Sequence, residues 1–409
     1  MLVKSRENKR KDVKVKILLI NHFPLQGSGS GVYAANIAKS LEKKGHKTCI
    51  ITPENTSVFS NLKGIKLHPV FFKHEEKIEG QQEFNFPCFD PHPRSSLLFC
   101  DMTSVQLEQY KQAFRKAIEE EILEFKPDVI HAQHIWLISS IALEYNIPVV
   151  ITSHGSDIMG YDDWPQFHDV MYKVADGCKK IVAISNHSKE IIENIFVSNK
   201  EKIVTIPNGY DKKCFYKENY NKNEILAELE IDKEYDKIVC FAGRLAKNKG
   251  VDLLLQAAKR YENENVLTLI SGYGEEYNNL IKMRDEFKLK NVVFLGNRSH
   301  DILRKIYNIS DVCVVPSRKE AFGLVALEAI ACGTPVIATK QGGMTDFVSK
   351  EVGILIEKEN IEELEEAILQ ILNGKAKFDS KYLAQYAKNN YKQDLFIDKL
   401  IDIYKEIIN

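Results

Sequence analysis

The sequence carries no excess of charge of either sign. Lys and Arg together number 56 and Asp and Glu 57, which gives a formal net charge of −1. A protein that binds nucleic acid through its phosphates usually has a strongly basic surface. The charge balance therefore argues against a nucleic-acid partner.

Long apolar runs are also missing. No stretch approaches the roughly 20 apolar residues that a membrane-spanning helix needs, and the N-terminus lacks the pattern of a signal peptide. Residues 1–13 form instead a basic tail. We interpret it as a solvated tail, with weak binding to anionic lipid as the alternative. We expect no transmembrane segment and do not favour peripheral membrane contact.

Cysteine pairs with metal-ligand spacing are absent as well. The eight cysteines include no Cys-x-x-Cys pair, and several lie within apolar stretches. This usage is typical of reduced thiols in a cytoplasmic protein. His131 and His134 flank the end of a predicted strand, but no third ligand lies nearby, so a metal site is only an alternative.

The chain is long enough for two domains of about 200 residues each. Apolar strand patterns alternate with helical patterns in both halves, and polar turns follow the strands. This alternation predicts two doubly wound α/β domains, which bind ligands at the carboxyl ends of their strands. Residues 212–236 read as a charged linker with one short helix. Residues 74–103 have no regular pattern and are interpreted as a lid, or else as a loop packed on its domain.

One stretch near the C-terminal third organises the chain. Residues 311–316 predict a buried strand, 323–332 a helix and 335–339 another strand. Glu320 precedes the helix and Glu328 lies within it. Carboxylates accept hydrogen bonds from the hydroxyls of sugars and riboses, and amides at a helix N-terminus attract anions. Alternatively, Glu320 caps the helix and Glu328 is a solvated residue.

Two glycine-rich or basic loops follow strands elsewhere. Gly27, Gly29 and Gly31 precede a helix predicted over 32–44, as in a phosphate cradle. Their spacing departs from the dinucleotide fingerprint, although Glu54 could imitate its ribose-binding acid. Arg244 and Lys249 follow a strand ending at residue 243; both suit a diphosphate, although a basic surface loop is the alternative.

The stretch Pro-Ser-x-x-Glu-Ala-Phe-Gly-x-x-x-Leu-Glu-Ala-x-Ala-Cys-Gly-Thr-Pro at 316–335 resembles the donor-site signature of retaining GT-B glycosyltransferases of family 4. The resemblance implies two facing Rossmann-like domains, at 14–212 and 213–390, and a helix at 391–409 that returns to the first. It also implies a nucleotide-diphosphate sugar as co-substrate, with UDP favoured over GDP, and an unidentified hydroxyl acceptor. The family's front-face mechanism retains anomeric configuration.

The resemblance also implies roles for individual residues. Glu320 would hold the donor sugar, Glu328 the ribose hydroxyls, and Arg244 with Lys249 the diphosphate. His154, in a Ser-His-Gly-x-Asp turn after a strand, would face the transferred sugar or the incoming hydroxyl, although a lone histidine is more often structural. Donor contacts are further expected from Gly29, Gly31, Gly272, Gly274, Asn297, Arg298, Ala321, Phe322, Gly323, Leu324 and Val325. No Asp-x-Asp motif ends a strand, so we expect no metal and no other cofactor.

Two other functions share the fold. A nucleotide-sugar 2-epimerase would need acid and base residues in the cleft. A non-catalytic GT-B subunit would be expected to have lost its phosphate-binding residues, yet Arg244, Lys249, Glu320 and Glu328 are all present. We therefore expect an enzyme, and specifically a hexosyltransferase.

Overall fold

The computed structural model describes residues 14–57, 62–74, 77–90, 92 and 94–408. Its strands are β1 Lys16–Ile20, β2 Lys47–Glu54, β3 Lys66–Phe71, β4 Val129–Gln133, β5 Val149–Ser153, β6 Lys180–Ala183, β7 Ile203–Thr205, β8 Lys237–Ala242, β9 Val266–Ser271, β10 Val292–Gly296, β11 Val312–Val315, β12 Val336–Thr339 and β13 Gly353–Ile356. Its α-helices are α1 Gly29–Lys43, α2 Ser104–Glu124, α3 Leu137–Ala142, α4 Ser156–Met159, α5 His168–Gly177, α6 Asn186–Ile195, α7 Lys222–Glu228, α8 Val251–Ala258, α9 Tyr277–Glu286, α10 His300–Ile309, α11 Leu324–Ala331, α12 Met344–Phe347, α13 Ile361–Leu372, α14 Ser380–Asn390 and α15 Asp394–Ile408. The alternation of strand and helix confirms the predicted α/β class.

The chain divides into two compact units. The first extends to Ile206 and takes up the chain again from Phe396, and the second is Pro207–Leu395. The first contains a parallel sheet in the order β3-β2-β1-β4-β5-β6-β7. Its central strands are buried along almost their whole length, as expected for strands covered by helices on both faces. The order reverses between β1 and β4, which marks the switch point where such sheets bind ligands.

The second unit has the same arrangement. Its parallel strands follow the order β10-β9-β8-β11-β12-β13. The switch point lies between β8 and β11, so the loops after these two strands border the crevice at the carboxyl edge. These loops carry Arg244 and Lys249 after β8, and Glu320 after β11. The topology therefore places three predicted site residues at one edge of one sheet.

The C-terminal helix α15 packs on the first unit from Phe396 onward. The Tyr404 hydroxyl lies 2.6 Å from His131 Nδ1, and Asp398 pairs with Lys44 at 2.7 Å. His131 Nε2 meets Thr152 Oγ1 at 2.7 Å, so both ring nitrogens of this histidine are occupied. No group of three or more metal-ligating residues occurs in the described part of the chain, and the metal alternative for His131 and His134 loses its support.

The described part of 74–103 is packed on the first unit and does not form an open lid. Phe84, Phe86, Phe89 and Phe99 are buried in its core. Arg94 Nη1 lies 2.9 Å from Glu54 Oε2. Glu54, the residue that would bind a ribose in the dinucleotide alternative, is therefore already paired with an arginine. The alternative of a packed loop therefore describes this segment better.

All eight cysteines are free thiols. No helix within the residues described is long and apolar enough to cross a membrane. The basic tail at 1–13 lies outside the described residues.

Candidate active site

Two loops of the second unit are built against each other at the switch point. Gly250, after the short 3₁₀ turn Lys247–Lys249, has φ +69°, and a Cβ there would lie 2.0 Å from the Pro316 carbonyl oxygen. The Arg318 amide donates to the Asn248 carbonyl at 2.7 Å. The loop after β8 therefore lies directly against the loop after β11, and each fixes the position of the other.

This contact brings Lys249 and Glu320 together. Lys249 Nζ lies 2.8 Å from Glu320 Oε2, and both side chains are largely buried. Burial alone would raise the pKa of Glu320, but the nearby Lys249 ammonium and the amides of Phe322 and Gly323 outweigh it and lower that pKa. Glu320 is therefore an ionised carboxylate, fixed in place by one cation and two amides.

The N-terminus of α11 differs from the prediction in what its amides bind. Gly323 is left-handed at φ +93°, and no side chain caps the helix through its N-cap position. The amides of Phe322 and Gly323 already donate to Glu320, which is the capping role considered as an alternative. Leu324 and Val325 follow in the first turn, and Ala321 accepts from the Gly343 amide at 3.0 Å.

Glu328 stands on the same helix without a partner. Its carboxylate is half-buried and makes no hydrogen bond or ion pair with any described residue. Burial raises its pKa to about 8. A carboxylate in this condition has unused acceptor capacity, and a pair of ligand hydroxyls would satisfy it.

Arg244 is held more loosely. Its Nη2 lies 3.0 Å and its Nε 3.1 Å from Glu275 Oε2, and both side chains are substantially exposed. An exposed ion pair of this kind contributes little free energy. The sequence analysis missed Glu275, because an acid in a polar loop gives no signal of its own.

Gly272 and Gly274 serve the packing of the strand-end loops. A Cβ on Gly272, at φ +137°, would lie 1.8 Å from the Gly243 carbonyl oxygen, and one on Gly274 would lie 2.4 Å from that of Leu245. Between them stands Tyr273, 57% exposed, which the sequence analysis did not select. Asn297 and Arg298 are exposed after β10, and the Gly272 amide donates to the Gly296 carbonyl at 2.8 Å.

In the first unit the glycine loop is shorter than predicted. Helix α1 begins at Gly29, with Ser28 Oγ accepting from the Gly31 amide at 3.0 Å. Gly31 therefore lies in the first helical turn, where a Cβ would be 2.0 Å from the Pro24 carbonyl oxygen. A Cβ on Gly29 would meet nothing within 4 Å, so of these two glycines only Gly31 is required for close packing.

His154 belongs to a group of three histidines at the switch point of the first sheet. Its Nε2 lies 2.8 Å from Gln133 Oε1, and burial lowers its pKa well below the usual value. The His134 ring centroid is 4.9 Å from that of His154 and 4.3 Å from that of His22. Neither ring nitrogen of His22 has a partner among the described residues. The sequence analysis did not link His22 to this site, because it follows β1, distant in sequence.

Comparison with known proteins covers both units. The model of the family described as Glycosyltransferase Family 4 matches residues 27–213, and the model described as Glycosyl transferases group 1 matches residues 221–393. An uncharacterized glycosyltransferase of Methanocaldococcus jannaschii is 26% identical over 97% of this chain and 97% of its own. The N-acetyl-alpha-D-glucosaminyl L-malate synthase of Bacillus anthracis is 25% identical over 95% of each chain.

Solved structures share the whole architecture. Sucrose-phosphate synthase of Thermosynechococcus elongatus gives a TM-score of 0.77 at 22% identity, covering 96% of this chain and 99% of its own. The HepE protein of Anabaena, solved with UDP and glucose, gives 0.73 at 19% identity, covering 95% and 99%. At these identities the likeness shows the fold. Together with the family matches, it establishes that the chain is a glycosyltransferase of the group 1 family with the GT-B fold.

Proposed function

We propose that the protein transfers a hexosyl or N-acetylhexosaminyl group from a nucleotide-diphosphate sugar to a hydroxyl acceptor, with retention of anomeric configuration. UDP is the first candidate for the nucleotide and GDP the second. The observation that carries the proposal is the junction of the loops after β8 and β11, where the Lys249–Glu320 pair adjoins the N-terminus of α11. The HepE structure, which contains UDP, supports a uridine nucleotide.

The diphosphate is assigned to Arg244 and Lys249. Negative charge accumulates on the leaving diphosphate as the glycosidic bond breaks, and fixed positive groups stabilise it. Lys249 is pre-positioned by Glu320, whereas Arg244 can leave its exposed pair with Glu275 at little cost. The amides of Leu324 and Val325 add donors at the helix N-terminus.

The two glutamates have different roles because their environments differ. Glu328 has a raised pKa and unused acceptor capacity, which suits the two hydroxyls of a ribose. Glu320 is ionised and held by Lys249, so it can accept a hydrogen bond from a donor-sugar hydroxyl. A carboxylate so strongly stabilised is a poor nucleophile, which disfavours a covalent glycosyl-enzyme intermediate.

The reaction then takes place on one face of the sugar. The bond between the anomeric carbon and the diphosphate oxygen breaks, and its electron pair stays on that oxygen. The acceptor hydroxyl oxygen bonds to the same face of the anomeric carbon, and its proton passes to the leaving phosphate oxygen. The role of His154 toward the sugar or the incoming hydroxyl stays a prediction. Tyr273, exposed between Gly272 and Gly274, is proposed as a stacking surface for the base.

A screen of UDP-, GDP- and ADP-sugars tests the proposal. Thermal stability and donor hydrolysis are measured for the wild type and Glu328→Ala, with Glu286→Ala, on exposed α9 surface, as the control. One donor that stabilises the wild type and Glu286→Ala, but not Glu328→Ala, is the expected result. If no nucleotide sugar is bound or hydrolysed, the proposed donor is wrong.

A further inference from the structure

A second groove of the second unit lies on residues that the donor site does not use. It has a volume of about 840 Å³ and is lined by eight residues of the segment 210–219 before α7, by one face of α14 and by Ala331. The α14 residues that line it are Lys381, Ala384, Gln385 and Lys388. Their spacing of three, four and seven places them on one side of the helix. None of these residues belongs to the loops at the carboxyl edge of the sheet.

The groove is strongly basic in a chain that is nearly neutral. Five lysines line it, Lys212, Lys213, Lys217, Lys381 and Lys388, together with one acid, Glu218. Lys212 is paired with Asp394. The other four form no ion pair with any residue that the structure describes. Four ammonium groups with no bound acid around one depression create a field that attracts anions.

The one acid does not neutralise these lysines. Glu218 accepts a hydrogen bond from the Tyr220 hydroxyl, and its carboxylate lies 3.6 Å from Arg304 Nε. Arg304 also covers the Tyr216 ring, with its guanidinium carbon 4.7 Å from the centroid. Glu218 is thereby directed to a neighbouring network, and the four lysines keep their charge for a ligand.

The remaining lining is apolar or uncharged. Tyr210 and Phe215 are almost fully buried, and Asn219 and Gln385 contribute side-chain amides to the lining. Gln385 Nε2 donates to Asn389 Oδ1 at 2.6 Å, which leaves the Gln385 amide oxygen as an acceptor. The volume falls within the roughly 300–1,000 Å³ range of pockets for small ligands. Lysine ammonium groups bind phosphate oxygens as point charges, and amides bind hydroxyls.

We infer that this groove binds a small phosphorylated polyol or sugar. Its phosphate would lie among Lys213, Lys217, Lys381 and Lys388, its hydroxyls against the amides of Asn219 and Gln385, and its carbon skeleton over Tyr210 and Phe215. The groove shares no residue with the proposed donor site, and the inference does not depend on the proposed reaction. The combination of ammonium groups, amides and an apolar floor selects a phosphate ester over either free sugar or free phosphate.

Isothermal titration calorimetry with glucose 6-phosphate and glycerol 3-phosphate tests the site. Glucose, glycerol and orthophosphate are the control ligands. The variant is Lys381→Gln with Lys388→Gln. Both lysines are exposed on α14, so folding should be unaffected, and thermal unfolding checks this. The control with the same change in charge is Lys290→Gln with Lys350→Gln, exposed and outside the groove. Arg244→Gln reports any binding at the donor site.

A phosphate ester should bind the wild type, the control variant and Arg244→Gln alike. Its affinity should fall at least tenfold in Lys381→Gln/Lys388→Gln and should decrease with added NaCl. Neither glucose nor glycerol should bind, and orthophosphate should bind more weakly than the ester. The inference is overturned if neither ester binds, if the groove variant binds as well as the wild type, or if Arg244→Gln alone abolishes binding. Equal affinity for orthophosphate would overturn the assignment to an ester.

Discussion

Lys249 Nζ lies 2.8 Å from Glu320 Oε2, joining the loop after β8 to the loop after β11. The pair fixes a cation where the proposed diphosphate would lie and a carboxylate where the donor sugar would lie. Since both side chains are largely buried, neither can lose its partner without cost. The sequence places these residues 71 positions apart, and only the parallel order of β8 and β11 brings them together.

Removal of the Lys249 charge should therefore affect both catalysis and stability. In Lys249→Met, we expect kcat to fall by about 10²–10³-fold, because one preorganised positive group at the leaving diphosphate is lost. The free energy of unfolding should decrease by about 1–3 kcal/mol, because Glu320 stays buried without its cation. Donor turnover and urea unfolding measure the two effects.

Lys247→Met is the matched control for Lys249→Met. Lys247 belongs to the same 3₁₀ turn but is exposed and makes no ion pair with a described residue. Its kcat should stay within about twofold of the wild type, since exposed substitutions away from special features usually cost less than ~0.5 kcal/mol. Similar losses in both variants would show that the pair has no special role.

Glu328 should make the stability of the free protein depend on pH. Its pKa is about 8 in the folded state, raised by burial from the ordinary glutamate value of 4.5. Between these two values the unfolded chain binds fewer protons than the folded one, so stability falls as pH rises from 4.5 to 8. Glu328→Gln should remove this loss, and its free energy of unfolding should exceed that of the wild type by roughly 1–3 kcal/mol at pH 8.

Urea unfolding at pH 5 and pH 8 measures this difference, which should be much smaller at pH 5. Glu286→Gln, on the exposed side of α9, is the control and should show no pH-dependent gain. A Glu328→Gln advantage that is equal at both pH values would contradict the raised pKa.

The sequence predicted the strands and the helix at 311–339 well because their pattern is local. Each of these elements is specified by residues that are neighbours in the sequence. Glu320, Glu328, Arg244 and Lys249 were likewise selected from short motifs of neighbouring residues. The partners were not predictable in the same way. Glu275 for Arg244 and His22 beside His134 come from distant strand ends, and no local periodicity reports such contacts.

Gly31 and the segment 74–103 show what the sequence pattern could not distinguish. Gly31 is required by the close approach of the Pro24 carbonyl in the first turn of α1, and its expected contact with the donor stays a prediction. Residues 74–103 were interpreted as a lid because they lack periodicity. Their phenylalanines fill the core of the first unit, and burial of that kind depends on the tertiary fold.

Gly272→Ala should destabilise the second unit. The new Cβ would lie 1.8 Å from the Gly243 carbonyl oxygen at φ +137°, so backbone must move. We expect a loss of about 3 kcal/mol or more in the free energy of unfolding. Gly296→Ala is the matched control, since its φ is +68° but its Cβ would meet nothing within 4 Å, and its cost should be about 1 kcal/mol. Equal costs would show that the contact with Gly243 is relieved easily.

Glycosyl transfer should not require a divalent cation. No Asp-x-Asp motif ends a strand in the sequence, and Arg244 and Lys249 supply the positive charge that a metal would otherwise bring to a diphosphate. Activity should therefore stay within about twofold after EDTA treatment, because EDTA removes no group that the reaction needs. Restoration of lost activity by Mg²⁺ alone would contradict this assignment.

Glu275 should restrain Arg244 in the nucleotide-free protein. Arg244 must leave Glu275 before its guanidinium can bind a diphosphate, so the ion pair at 3.0 Å competes with the ligand. An exposed pair of this kind contributes at most ~1 kcal/mol. Glu275→Gln should therefore strengthen the binding of UDP by up to about fivefold, whereas Arg244→Gln should weaken it by about tenfold or more.

In the double variant the Glu275→Gln gain should vanish, because its effect acts through Arg244. Titration of the four proteins with UDP at one salt concentration completes the cycle, and a gain that persists without Arg244 would assign Glu275 a direct repulsion of the ligand instead.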